Sequence, residues 1–399
     1  MTKSDPIVRL AAKGDGVTAS GRHVSGAVPG DVIGIAGDIL PGPHRAVPPC
    51  RHFGRCGGCQ LQHCEEEVLA RFVTDRVVNA ATGQGLEPDA VLPTHLSPPR
   101  TRRRTALHAA KLNGRVALGF REAGSHRIVD MMECHVLHPD LFALLPPLRQ
   151  LLHLLLGRGV ADVHLTHTLR GVDCLVKGAL PAGLKTHEAL LAFAQEHGLA
   201  RLSLDSGWGA ETLWEPQPIT MVFSGVEVGL PVGAFLQATL DGERVLQEDV
   251  KAFVNNCPEV VDLFAGLGTL SLGLAAAGSG VTAFEAERSA HLASRDAFRR
   301  LPGSSEAVHR DLFRAPLQPH ELKRFNGLIL DPPRAGAKAQ VEQLAASAVE
   351  RIAYVSCNPA SWARDARLLA AAGYRLACIR AVGQFRWSTH VELTSLFTR

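Results

Sequence analysis

The chain has 399 residues with 42 Lys and Arg against 39 Asp and Glu, and its net charge of +3 is too small to argue a nucleic-acid partner by itself. Its length exceeds one ordinary core and implies two or three domains. The richest apolar run, LFALLPPLRQLLHLLLG, is broken by two prolines and an arginine, which excludes a membrane span, and MTKSDPIVRLAAKGDG lacks the apolar core of a secretory signal. Nine cysteines without such a signal favour metal or catalytic roles over disulfides and a cytoplasmic location.

The opening stretch, IVRLAAKGDGVTASGRHVSGAVPGDVIGIAGDI, alternates short β-branched runs with Gly and Pro turns and reads as a small β-barrel-like module over residues 1–47. LPGPHRAVPP, which cannot continue a strand ladder, ends it. A cysteine-rich loop then opens a central unit, 48–235. Strand-like runs such as RTALHAAKL, RVALGFRE and DVHLTHTL, with one helical pattern near 185–197, predict a mixed, antiparallel domain. From residue 236 onward, a helical DGERVLQEDVKAFVNNC precedes apolar strands spaced by helices, the pattern of a doubly wound α/β sheet over 236–399.

Within that last unit, VVDLFAGLGTLSLG carries a buried strand to Asp262 and turns through Gly266 and Gly268 into a helix. Such a turn lets backbone approach a ligand at a helix N-terminus, and Glu285, ending the next strand, stands at the distance of a ribose contact. The pair implies a nucleoside cofactor; the plainer alternative is a glycine turn beside a solvated acid. LILDPPRAG delivers Asp331 to the ligand-binding edge of the sheet, and IAYVSCNPA brings Cys357 to the same edge. A free cysteine is most often a buried hydrophobe, but a Cys-Asn-Pro turn after an apolar strand exposes its sulfur.

The combination FLQ at 235–237, DLFAGLGT at 262–269, DPPRAG at 331–336, SCNP at 356–359 and HVELTSLF at 390–397 resembles the RNA 5-methyluridine methyltransferase family over essentially the whole chain. The resemblance implies a C-terminal Rossmann-like class I methyltransferase sheet and S-adenosylmethionine as methyl donor. It also implies Cys357 as nucleophile, Glu392 as general base, and Gln237, Phe264, Thr269, Glu285, Asp311 and Asp331 around cofactor and uracil. Thr239 and Thr269 stand where the family commonly has Asn; each keeps a hydroxyl able to donate or accept. The N-terminal module resembles a short TRAM domain, and the implied partner is RNA, ribosomal ahead of transfer; a monomer is the default expectation.

A sulfur nucleophile suits this chemistry. Thiolate addition to carbon 6 of uracil makes carbon 5 nucleophilic, and a base must afterwards remove the carbon-5 proton. Two rivals differ in class. An amino-methyltransferase would carry an aromatic residue where Arg334 stands and would not use Cys357; a non-catalytic RNA-binding protein would have no need of Cys357, Glu392 and Asp331 together.

CRHFGRCGGCQLQHC, residues 50–64, places Cys50, Cys56 and Cys59 in one glycine-bearing loop. Thiolates suit zinc, closed locally by His63 or Cys64, and iron-sulfur clusters alike. The resemblance supplies Cys134 as the distant fourth ligand of a 4Fe-4S cluster. Between Arg100 and Arg127 stand eight Lys or Arg and one acid, Glu122. The arginines at 100, 102, 103, 104, 115, 121 and 127, with Lys111, are candidates for RNA phosphates or a solvated basic face.

Overall fold

The apolar runs become three sheets and one small hairpin in a computed structural model, which describes residues 5–399 apart from 113, 158, 181 and 182. The first four residues of the stretch read as lacking a signal lie outside the described part. No helix among the described residues is long and apolar enough to cross a membrane.

Five short antiparallel strands form the N-terminal module, around Ile7, Ala27 and Ile33. Its outer strands, His23–Val24 and Ile39–Leu40, each pair on one side, so the sheet curls without closing.

The central sheet has six strands, antiparallel except where Gly171–Lys177 runs parallel to Arg201–Asp205. A parallel pair needs a crossover, and the helix Leu184–Glu196, anticipated from its periodicity, supplies it. The sequence suggested only that helix here, yet Pro139–Ala143 and Leu145–Leu155 also form. Prolines do not prevent them, because each helix places its prolines in the first turn, where backbone N–H groups have no intrahelical acceptor.

The C-terminal sheet is the anticipated doubly wound one. Five parallel strands run in the order Glu306–His309, Gly280–Glu285, Glu259–Leu263, Gly327–Leu330, Arg351–Ser356. Glu392–Thr398 then joins antiparallel to Arg351–Ser356, and Arg375–Gly383 antiparallel to it. Parallel strands covered on both faces must be apolar throughout, as Gly327–Leu330, buried at all four positions, is.

The hydrogen bonding crosses the division expected at residue 236. Ala90–Val91 and His95–Leu96 pair with Arg375–Gly383. The helix Glu66–Thr82 buries Val68, Leu69, Phe72, Val73 and Val77 in the same core as Trp362, Ile379 and Phe397. Segment 66–96 thus completes the C-terminal layer.

Candidate active site

The strand Glu259–Leu263 ends in a turn that only special backbone can make. Phe264 has φ 64°, followed by Gly266 at 56° and Gly268 at 79°. A non-glycine residue in the left-handed region is strained, and it persists where surrounding structure fixes it, often at ligand sites. Glu285 does part of the fixing: its carboxylate accepts from the N–H of Gly266 (2.8 Å) and of Glu287 (2.6 Å). Asp262 is fully buried, and neither of its oxygens has a partner within hydrogen-bond distance; burial, then Asp331 and Glu285, push its carboxyl up to about 7, opposed by the nearby Ser271 hydroxyl, which stands too far for a full hydrogen bond. Asp311 accepts from the N–H of Phe313 (2.9 Å), turning that ring back to 5.2 Å from Phe264. Phe313, 52% exposed, was missed in the sequence. Its signal was a bulky aromatic directly after the Asp311 turn, left without core neighbours. Thr269 is half-buried, its carbonyl accepting from Gln247 (2.9 Å).

A cavity of about 720 Å³ lies between the two larger sheets, and Cys357, Glu392, Gln237, Arg334, His390, Arg104 and Phe235 line it. Cys357 follows the strand Arg351–Ser356 and precedes Asn358, the N-cap of the helix Pro359–Ala371. Asn358 Nδ2 and Ser361 Oγ both donate to the carbonyl of Arg334, at 2.9 and 3.0 Å, locking the Cys-Asn-Pro turn to the Asp-Pro-Pro-Arg turn. Glu392 is buried and opens the neighbouring strand. Burial, opposed by Arg334 and Arg104, pushes its carboxyl up to about 7. Burial, then Glu392 and Asp331, push the Cys357 thiol up to about 11, with Arg334 opposing. Burial and Glu392 raise the half-buried Asp331 well above the usual carboxylate range. Burial and mutual repulsion thus favour the protonated form of all three groups.

Two neighbours have structural duties. Gln237 Oε1 accepts from Gln384 Nε2 at 2.9 Å, which orients its amide. Thr239, buried at the N-cap of Leu240–Phe253, spends its hydroxyl on Gly242 N–H and Ser97.

Cys50, Cys56, Cys59 and Cys134 line one small, mostly apolar cavity with Phe53, Phe120, Met131 and Val136. Burial, then the other three thiols, push Cys59 up to about 12. His63 and Cys64 do not line it; both are buried, and the rings of His63 and Phe53 lie 5.3 Å apart.

The arginine run divides in a way composition could not reveal. Arg103 is buried against Glu243 and donates to Gln237 O (3.0 Å), so it is a structural ion pair rather than a phosphate contact. Arg104 stacks on Phe235 at 4.4 Å and donates to Leu236 O. Arg102 lies between the rings of Phe120 and Phe385, at 5.6 and 5.1 Å. Lys111 is held on His153 O at 2.8 Å. Arg100, Arg115, Arg121 and Arg127 remain exposed.

Comparison with known proteins decides the family. A model described as tRNA (uracil-5-)-methyltransferase matches residues 305–399. An uncharacterized RNA methyltransferase of Zymomonas mobilis subsp. mobilis is 47% identical, over 98% of this chain and 99% of its own. A 23S rRNA (uracil(1939)-C(5))-methyltransferase of Pectobacterium atrosepticum is 31% identical, over 90% of this chain and 81% of its own. The chain belongs to the RNA uracil-5 methyltransferase family. The crystal structure of Pyrococcus abyssi tRNA (uracil-54, C5)-methyltransferase with S-adenosyl-L-homocysteine has the same fold, at TM-score 0.77, 22% identity and 99% coverage of each chain.

Membership makes this RNA methyltransferase an enzyme that uses S-adenosylmethionine, and its residues fit that donor. The strained glycine turn leaves backbone open, Phe264 and Phe313 offer aromatic surface to an adenine, and the unpartnered Asp262 carboxylate suits a site that receives a cationic ligand.

Proposed function

We propose that this enzyme methylates carbon 5 of a uridine in RNA through a covalent bond between Cys357 and carbon 6, with Glu392 removing the carbon-5 proton. The observation that carries the reading is the presence in one cavity of Cys357, just after one strand, and Glu392, at the start of its antiparallel neighbour. S-adenosylmethionine, when bound, supplies a methyl group on a sulfonium, an electrophile for a carbanion. Once the Cys357 thiol has given its proton to water, its sulfur pair forms the bond to carbon 6, and the carbon 5–carbon 6 π pair shifts to make an enolate with its charge on O4. Carbon 5 then takes the methyl group, whose former bonding pair would stay on the donor sulfur; Glu392 accepts the carbon-5 proton, and the pair left behind re-forms the carbon 5–carbon 6 double bond and expels the Cys357 thiolate, which regains a proton from water.

The raised groups suit this order. Burial and Glu392 favour the protonated form of Asp331, in which it could donate an O–H to a neighbouring oxygen. Glu392, with its carboxyl up to about 7, is poised to take a proton at neutral pH and to return it to water. Phe264, Glu285, Asp311, Thr269 and Asp262 are assigned to the donor, Gln237 to the uracil. The uridine must leave its stack to reach the cavity, so the substrate is a loop or unpaired segment.

Ribosomal RNA is the proposed substrate ahead of transfer RNA, on the relative that acts on 23S rRNA. The four cysteines are assigned a 4Fe-4S cluster. The four cysteines line one small cavity, and a four-thiolate set suits such a cluster. The cluster supplies a buried cross-link between the loop at 50–59 and Cys134.

Mass spectrometry of nuclease-digested rRNA and tRNA from a deletion strain tests the substrate. Loss of one 5-methyluridine from 23S rRNA is expected; unchanged 5-methyluridine in both RNAs overturns the reading.

A further inference from the structure

The catalytic cavity continues beyond the active site. Arg121 lines it and also lines a second cavity, of about 620 Å³, further along the central sheet. The strand Arg104–Leu112 gives Arg104 and Ala106 to the first cavity and His108 to the second. Its antiparallel neighbour Val160–Thr168 gives Thr166 and His164 to the first, then Asp162 and Val160 to the second. Arg104–Thr166, Ala106–His164 and His108–Asp162 are opposed pairs at alternate positions, so they share one face of the sheet. Leu107, Val163 and Leu165, between them, belong to the core beneath the other face. The shared face makes one track, about 13 Å from its first pair to its last.

The polar groups along the second cavity suit a phosphate backbone. Arg121, His126 and Lys177 line it and are exposed. The two carboxylates beside them are engaged already. Asp162 Oδ1 stands 2.6 Å from His108 Nδ1, and Asp205 Oδ1 accepts from the N–H groups of Gly207 (2.9 Å) and Gly209 (3.3 Å). Arg121 and Lys177 are left to face an anionic chain.

The Asp205 bonds also fix a turn that carries Trp208. Gly207 and Gly209, on either side of it, both have φ 106°, a conformation that glycine adopts without strain. Asp205, Ser206 and Gly207 line the second cavity, so Trp208 directly follows its lining. The ring is 97% exposed, more than any other large apolar side chain among the described residues. It buries almost no area and so adds little to the fold, whereas a ring presented to water on a pinned turn offers a flat surface on which an unpaired base can stack.

We propose that single-stranded RNA flanking the target uridine leaves the catalytic cavity along this track, with its phosphates on Arg121, His126 and Lys177 and one of its bases stacked on Trp208. The inference rests on the RNA reading above and adds the course of the strand. Stacking on an aromatic ring is tolerant of base identity, so the track holds the strand without reading its sequence.

Fluorescence anisotropy of full-length holoenzyme with labelled oligouridylates of about four and about sixteen nucleotides tests it, lengths that bracket an ordinary single-strand site. Trp208→Ala should weaken binding of the longer oligomer about fivefold or more, and Trp208→Phe, which keeps a ring, should lose less. Lys177→Gln should lower the salt slope for the longer oligomer by about one. The melting temperatures of all three variants should stay close to wild type, and the shorter oligomer, unable to span the track, should bind wild type and Trp208→Ala alike. Equal affinity of wild type and Trp208→Ala for the longer oligomer would leave Trp208 to a protein partner and overturn the proposal. An undiminished difference on the shorter oligomer would make Trp208 a separate site and overturn the continuous path. No binding of either oligomer by wild type would instead remove the RNA reading on which the proposal rests.

Discussion

Cys357 directly follows Ser356 and Glu392 directly precedes Leu393, the two residues that close the antiparallel ladder between their strands. The strand pairing alone thus brings the proposed nucleophile and base to one place, and the carboxylate is among the causes that raise the thiol.

Removing each group should give a different result. Cys357→Ala should abolish methylation and any covalent RNA adduct, whereas Glu392→Gln should accumulate a methylated, covalent enzyme–RNA species on denaturing gels. A 5-fluorouridine substrate should trap wild type likewise, since fluorine cannot leave as a proton. Appreciable turnover by Cys357→Ala would contradict the covalent route.

Because Glu392 raises the Cys357 thiol, Glu392→Gln should lower it, and iodoacetamide should alkylate Cys357 faster in the variant at pH 8. Alkylation slowed or unchanged, measured by peptide mass spectrometry, would show that the two groups are not electrostatically linked.

The buried carboxylate also costs stability. Glu392 is pushed from 4.5 up to about 7, so the folded state holds a proton that the unfolded chain releases. Stability therefore falls as pH rises from about 4.5 to about 7, by a total of about 3 kcal/mol, and is level above. Glu392→Gln should melt higher than wild type at pH 8, and the gap should close towards pH 4.5. A pH-independent gap would assign the gain to packing.

The arginines separate by partner. Arg103→Ala strands Glu243 in a buried site and should cost about 3–5 kcal/mol in urea denaturation. Arg100, Arg121 and Arg127 replaced together by Ala should leave stability within about 1 kcal/mol and flatten the salt dependence of RNA binding. An unchanged salt slope would make these three a solvated face.

Cys134→Ala should lose iron and sulfide together, while Cys64→Ala, buried beside Leu61 rather than in the cysteine cavity, should keep both. Zinc without sulfide in the wild-type protein would overturn the cluster assignment.

What the sequence made legible was local. Asp262, Asp331 and Cys357 each end an apolar strand, and parallel strands buried on both faces announce themselves as apolar runs. The helices Pro139–Ala143 and Leu145–Leu155 were hidden because prolines read as breakers unless the helix start is known. The pairing of Ala90–Val91 with Arg375–Gly383 left no trace, since two residues carry no periodicity and the partner is nearly 300 positions away. Charge was legible as an amount but not as a direction: Arg103 and Arg121 look alike in the sequence, and only tertiary packing gives one Glu243 and the other solvent.

The N–H groups of Gln60 and Leu61 both donate to the carbonyl of Trp387, at 2.7 and 2.9 Å, and Arg386 reaches Glu66 at 2.7 Å and Ser97 O at 3.1 Å. The segment leading into Glu392 is therefore clasped by residues made 289 to 327 positions earlier. Closing a loop of that length is entropically costly and slow, so the early segments must wait, uncovered, for the last strand to be synthesised. Catalytic competence should be the final event of folding, and a chain severed after residue 97 would leave neither fragment with a finished site.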